Sequence, residues 1–167
     1  MAHKQRSDNL RRASPEDVAL ERALEGLFRL TAQRRFDARQ TEAVGAAVTR
    51  AGYAALRSLS DHGVLSLRDL AHTSHMDAAA ASRQINQLVD DGLVHRRTAA
   101  DARAVELTLT PRGHDVYERI VAYRLAHLMN ALEGWPQCDR GVLATLVDKL
   151  ALNLGETDPS DLRNELR

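Results

Sequence analysis

Apolar residues recur along this chain at two periods, and the switch between them marks its organisation. From Pro15 onward, Leu20, Leu24, Leu27, Phe28 and Thr31 follow at intervals of three and four. That spacing is one stripe of an amphipathic helix of about five turns. Ser14 before Pro15, with Asp17 three residues on, forms a capping box at its start, and the polar run from Arg34 to Gln40 ends the stripe. Tyr53, Leu56 and Leu59 predict a second helix over residues 51–61, stopped at Gly63. Ser66 with Asp69 caps a short third helix whose inner face is Leu67, Leu70 and Ala71. Asp77 caps a fourth, running to Asp91, with Ala81, Ile85, Leu88 and Val89 inward and Gly92 at its end.

A period of two then takes over. Residues 93–97 and the strict alternation of Val105, Glu106, Leu107, Thr108 and Leu109 lie either side of a polar loop over 98–104 and predict a β-hairpin. Thr110-Pro111 opens another long helix, with Val116, Ile120, Val121, Leu125, Leu128, Met129 and Leu132 inward, ended by Gly134 and Pro136. Val142, Leu143, Leu146, Val147, Leu150 and Leu154 define a last helix over 139–154. Two short helices joined by a tight turn and followed by a hairpin make a winged helix-turn-helix pattern. The expected fold is therefore mainly α, with about six helices plus a β-hairpin wing.

The same pattern suggests how the chain is divided. Residues 1–13 read as a flexible basic segment, and 14–167 as a single chain holding a winged-helix lobe at 49–110. The helices in 14–40 and 111–167 carry more apolar surface than so small a lobe can cover, which marks them as dimerisation helices of a homodimer.

Composition changes this picture only in part. Across 167 residues, 23 basic and 23 acidic side chains cancel, so the overall charge does not announce a nucleic-acid binder. Placement matters more: residues 1–12 carry Lys4, Arg6, Arg11 and Arg12 against Asp8 alone. No uncharged apolar run approaches the length of a membrane span, and the N-terminal residues lack the apolar core of a signal peptide, so a cytoplasmic protein without a membrane partner is expected. The single cysteine, Cys138, has no intrachain partner for a disulfide and no activating neighbour for redox sensing. The seven histidines do not cluster at ligand spacing, so neither metal nor cofactor is expected. No nucleophile and acid/base pair converge, and the chain does not read as an enzyme.

Three motifs narrow the fold further. Gly92-Leu93-Val94-His95-Arg96 closes the fourth helix, Asp101-Ala102-Arg103 lies in the hairpin loop, and Leu109-Thr110-Pro111-Arg112-Gly113 follows the hairpin. In order and spacing they resemble signatures of the multiple-antibiotic-resistance regulator (MarR) family, most clearly over residues 65–113. The resemblance implies a homodimer interlocked through its terminal helices that binds double-stranded DNA at a pseudo-palindromic operator. The fourth helix would enter the major groove and the wing an adjacent minor groove. It also implies a transcriptional regulator, most often a repressor, released by a small and possibly anionic aromatic ligand. Asp77 and the run Ala78 to Ala81 depart from the family pattern, which offers a proline and hydroxyl residues there, and this thins direct base readout.

Candidate DNA-binding residues follow from what the inner face leaves over. On the fourth helix these are Ser82, Arg83, Asn86 and Gln87. Arg83 matches a DNA-contacting arginine of the family, and its planar fork suits guanine O6 and N7. In the wing, Arg103 suits a narrow minor groove, and Asp101 suits holding the wing arginines in place. Arg96 and Arg97 point to opposite faces of their strand; Arg96 matches the family position, as a phosphate contact or a structural residue. For an effector, Tyr53, Arg57, His62, Arg124 and His127 lie on segments able to line a site for a carboxylate. The competing reading is a winged-helix module that binds protein and not DNA, in keeping with the balanced charge and the alanine-rich fourth helix. The Asp101-Ala102-Arg103 wing argues for DNA, since a protein adaptor has no need of it.

Overall fold

A computed structural model describes residues 13–31, 34–98 and 105–156. The chain divides into two compact units, Arg34–Met129 and Met1–Gln33 together with Asn130–Arg167.

The unit Arg34–Met129 begins with α2 (Arg34–Val44), after α1 (Pro15–Thr31) of the other unit. It continues through α3 (Arg50–His62), β1 (Leu65–Ser66), α4 (Leu67–Thr73), α5 (Ala78–Asp90), β2 (Val94–Thr98) and β3 (Val105–Leu109) into α6 (Pro111–Ala131). The helix starts are set by side chains that satisfy otherwise orphaned amides. Thr49 accepts from Gly52 N at 3.0 Å, Ser66 from Asp69 N at 3.1 Å, and Asp77 from Ala80 N at 2.7 Å. The strands form one antiparallel sheet in the order β1-β3-β2, with Leu65 opposite Leu107 and Val94 opposite Leu109. Leu56, Leu59, Leu70, Ile85, Leu88, Leu93, Leu107, Val116 and Ile120 close a single core between helices and sheet. The mainly helical winged helix-turn-helix expected from the sequence is thus present.

The motifs at residues 92–96 and 109–113 turn out to be two halves of one joint. Thr110 N donates to Leu93 O at 3.0 Å, and the Thr110 hydroxyl donates to Gly92 O at 2.8 Å while accepting from Gly113 N at 2.8 Å. A Cβ at Gly113 would lie 2.0 Å from Leu93 O, so only glycine lets α6 start this close to the chain entering β2. Gly92 itself sits at φ +70°, ending α5 in the left-handed region that favours glycine.

Two elements escape the sequence pattern. The polar run Arg34 to Gln40, read as the end of the first helix, belongs to a helix of its own, α2, which buries Gln40 and Val44 and brings the helices among the described residues to seven. β1 is two residues long, too short for any alternation to register. The long helix α6 also departs from its expected inner face. Val116 and Ile120 are buried as predicted, but Leu125, Leu128 and Met129 are exposed.

In the other unit, Ser14 and Asp17 close the expected box: Asp17 Oδ2 accepts from Ser14 N at 2.9 Å and Asp17 N donates to Ser14 Oγ at 3.1 Å. That capping holds the Asp17 carboxyl below its ordinary pKa, the backbone bond from Ser14 contributing most and its side chain next. The last helix, α7 (Gln137–Glu156), is preceded by a corner in which Arg140 caps the end of the chain leaving α6, donating to Leu132 O at 2.7 Å and Trp135 O at 3.2 Å. Most apolar residues of α1 and α7 remain exposed, among them Leu27, Phe28, Val142 and Leu146, while Leu24 and Leu150 are half-buried.

Candidate nucleic-acid interface

Helix α5 is held by its apolar side and presents its polar side. Ala81, Ile85 and Leu88 are buried, so the residues between them must face outward. Arg83, Asn86 and Gln87 are exposed and Ser82 is half-buried, as the sequence pattern placed them. Ala78 and Ala79 at the start of the helix are also exposed. The turn before α5 is tight: His75 adopts φ +52°, and Met76 N reaches back to Ala71 O at 2.9 Å.

The polar residues of α5 have different partners. Arg83 has none among the described residues, which leaves its guanidinium available to a ligand. Gln87 Nε2 donates to Asp91 Oδ1 at 3.1 Å, one turn along the same helix. Asn86 Oδ1 accepts from Arg96 Nη2 at 3.0 Å, linking α5 to β2. Gln84, absent from the sequence-based set, accepts at Oε1 from the Thr49 hydroxyl at 2.7 Å, tying α5 to the first residue before α3. No local pattern signals that role, because its partner lies 35 positions away in the chain.

Arg96 stands opposite Leu107 in the hairpin and Arg97 opposite Glu106. Directly opposed residues share a sheet face, so Arg96 lies on the face of the buried Leu107, toward α5, and Arg97 on the outer face. Asp101 and Arg103 lie outside the described residues.

The proposed effector residues are brought together only in part. The Arg124 guanidinium lies 3.9 Å over the Tyr53 ring, and Arg124 Nε donates to Gln40 Oε1 at 3.0 Å. Gln40 is 3% exposed, so this hold on Arg124 is shielded from water. Tyr53 also stacks on Tyr117, with ring centroids 6.0 Å apart. The Tyr117 hydroxyl is pushed above its ordinary pKa, first by burial and then by the charge fields of Tyr53 and Asp61, against smaller opposing effects of Arg57 and the Ser60 hydroxyl. Arg57, paired with Asp61 at 3.6 Å, therefore borders this group. His62 does not join it through its Nδ1, which bonds its own helix at Ser58 O, 2.9 Å away. His127 is exposed, nearly one turn further along α6 from Arg124. Tyr117 and Gln40 were not foreseen; each reads as an ordinary helix residue until α2, α3 and α6 meet.

Among the described residues there is no group of three or more His, Cys, Asp or Glu placed to hold a metal ion, and no helix long and apolar enough to cross a membrane.

Comparison with known proteins places this architecture. The MarR family matches residues 48–105, which run from Val48 through the helix-turn-helix and β2 to the first residue of β3. No curated protein matches the chain. Among solved structures, a MarR-family transcriptional regulator from Silicibacter pomeroyi is 26% identical with a TM-score of 0.57, covering 74% of this chain and 85% of that one. A MarR family protein from Bacillus stearothermophilus superposes with a TM-score of 0.65 at 23% identity, over 86% of this chain and 100% of its own. BpsR of Bordetella bronchiseptica, whose DNA binding is regulated by 6-hydroxynicotinic acid, has a TM-score of 0.58 at 24% identity, over 83% and 99%. The family match thus covers the helix-turn-helix, β2 and the Gly92-Leu93 half of the joint, and solved MarR-family structures share the fold over most of the chain, so in that segment's sequence and in its fold the chain is similar to the MarR family of winged helix-turn-helix transcriptional regulators.

Proposed function

We propose that this protein is a sequence-specific regulator of transcription that binds double-stranded DNA as a homodimer and represses until a small ligand releases it. The observation that carries this reading is the exposed polar face of α5, with Arg83 unpartnered among the described residues and Arg96 emerging beside it from β2. An exposed arginine on a recognition helix can bind guanine bidentately in the major groove, worth roughly 1–3 kcal/mol of discrimination per good contact. Arg103 in the wing loop is assigned the minor-groove contact on the strength of the family motif, with Asp101 orienting it. The apolar faces of α1 and α7 supply the dimer, and a two-fold dimer reads half-sites about one helical turn apart.

The effector site is assigned to Tyr53, Tyr117, Arg124 and Arg57. A stacked aromatic pair beside two guanidinium groups suits a flat anion, the carboxylate pairing with arginine and the ring with tyrosine. The regulation of BpsR by 6-hydroxynicotinic acid makes an aromatic carboxylate the first ligand to try.

Fluorescence anisotropy on a duplex selected from a random pool, with a scrambled duplex and a salt series, tests the reading. Tight, salt-dependent preference for the selected duplex is expected, with Arg103→Ala lowering the salt slope by about one and Arg83→Ala relaxing sequence preference. Selection that enriches no sequence, with equal weak binding to all duplexes, would transfer the protein to the class of winged-helix modules that bind other proteins.

A further inference from the structure

Asn86 occupies the place on α5 where a base-reading side chain is expected, yet its acceptor is already committed. Arginine can only donate hydrogen bonds, so the Asn86 atom facing Arg96 Nη2 at 3.0 Å is the amide oxygen, and the orientation of the amide is fixed by that chemistry. An asparagine that reads adenine needs both ends of its amide, the oxygen for N6–H and the nitrogen for N7. With Oδ1 turned toward the wing, only the NH2 group is left to face a groove.

Arg96 is correspondingly unlike the other arginines of the lobe. Its strand position opposite Leu107 puts its base on the core-facing side of the hairpin, and its head group is anchored to α5. Arg97, one residue on, faces the other way beside Glu106. The remaining N–H groups of Arg96 have no partner among the described residues, and a guanidinium held by one edge presents the other edge in a fixed direction.

We propose that Asn86 is a positioning residue: it does not read bases but holds Arg96 against the recognition helix, so that Arg96 and strand β2 meet a DNA phosphate at a fixed height relative to α5. This rests on the DNA-binding reading above. In the free protein the bond is exposed and screened by water, and contributes little to folding. In the complex, DNA excludes that water and the same bond strengthens, because it then sits in a lower dielectric beside a phosphate. The consequence is a residue whose removal costs affinity for all sequences alike.

The experiment is a double-mutant cycle on DNA affinity with Asn86→Ala, Arg96→Ala and the double variant. Each is measured on the selected duplex, on the set of duplexes carrying single base-pair changes, and in a salt series, with thermal melts of the free proteins. Asn86→Ala is expected to weaken binding about 2- to 10-fold, the worth of one hydrogen bond, by the same factor on every duplex. Its melting temperature should stay within about 2 °C of the parent. Arg96→Ala should lower the salt slope by about one, and the double variant should bind no more weakly than Arg96→Ala alone. Loss on every duplex except those altered at one particular base pair would make Asn86 a reader of that base pair and overturn the proposal. So would losses that multiply in the double variant. If the unaltered protein prefers no duplex at all, the DNA reading itself fails and this role falls with it, a result distinct from either of those.

Discussion

The unit of residues 34–129 and the pair of helices α1 and α7 are built from the same kind of amphipathic pattern but end in opposite conditions. Every buried hydrophobic side chain among the described residues lies in the first, where Leu56, Leu70, Ile85 and Ile120 are wholly inaccessible. In α1 and α7 the stripe residues stay open: Leu27 is 53% exposed, Phe28 61% and Leu146 59%. An open groove of about 720 Å³ lined by Leu20, Leu24, Phe28 and Leu154 runs along that surface. Leaving a leucine in water forgoes roughly 1.5–3 kcal/mol that burial would supply. A soluble chain rarely leaves so many apolar residues together on its surface unless another surface covers them. Periodicity says that a helix has an inner face; it does not say whose core that face joins.

The strongest way to break the comparison is to charge the open face. In the proposed two-fold interface Leu146→Asp enters twice, so the lost burial alone is worth about 4 kcal/mol per dimer, before any cost of desolvating the carboxylates. Sedimentation velocity over a concentration series should show the variant as monomer where the parent is dimer, with hydrogen-exchange protection of residues 34–129 retained. An unchanged mass would mean that this face of α7 is not where two copies meet, and that its exposure needs another explanation.

The next largest effect lies inside the closed unit. Gly113→Ala drives a methyl group to 2.0 Å from Leu93 O, an encounter with backbone that no side-chain rotation can relieve. Because Thr110 ties the same two segments through two hydrogen bonds and holds Gly113 N by a third, relaxation would have to open the joint. Urea unfolding should show a loss on the order of 3 kcal/mol, the upper part of the range for overpacking. A loss below about 0.5 kcal/mol, typical of an indifferent surface site, would show that α6 can shift at its start and that the glycine is not needed for close approach.

That joint also explains what could be read in advance. The capping box at Ser14, the Ser66 and Asp77 caps and the glycines Gly63, Gly92 and Gly134 are local, so the sequence states them outright, and each is found where expected. At Ser66, however, the Asp69 carboxylate takes the hydroxyl and not the backbone N–H, and α7 runs past Gly155, where a stop was expected. The motifs at 92–96 and 109–113 were legible as signatures, but their structural role was not: they meet only when β2 and β3 pair. Helix α2 was missed because its buried residues among those described, Gln40 and Val44, leave almost no apolar period to detect. For the candidate site the same division holds. Exposure of Arg83, Asn86 and Gln87 follows from the buried stripe of α5, whereas the partners of Asn86 and of Gln84 come from other elements. The aromatic group around Arg124 was half foreseen, and its two missing members, Gln40 and Tyr117, are those whose contribution depends on three helices converging.

The smallest effect sharpens the comparison at the start of α1. With its stripe exposed, the beginning of this helix depends on its own cap, and the Asp17 carboxylate is the charged half of that cap. Its pKa is lowered from the ordinary 3.8 because the ionised form accepts from Ser14. A depressed carboxylate contributes stability that is present above the ordinary value and is lost as pH falls through the lower folded value. Helicity followed by circular dichroism from pH 6 downward should therefore fall below pH 3.8 in the parent by more than in Asp17→Asn, which has no charge to lose there. At neutral pH the variant should instead begin with slightly less helix than the parent. Coincident titration curves would mean that α1 is held by packing against a second surface from its first turn, and that the open face of this unit is closed earlier in the helix than the exposure of Leu20 suggests.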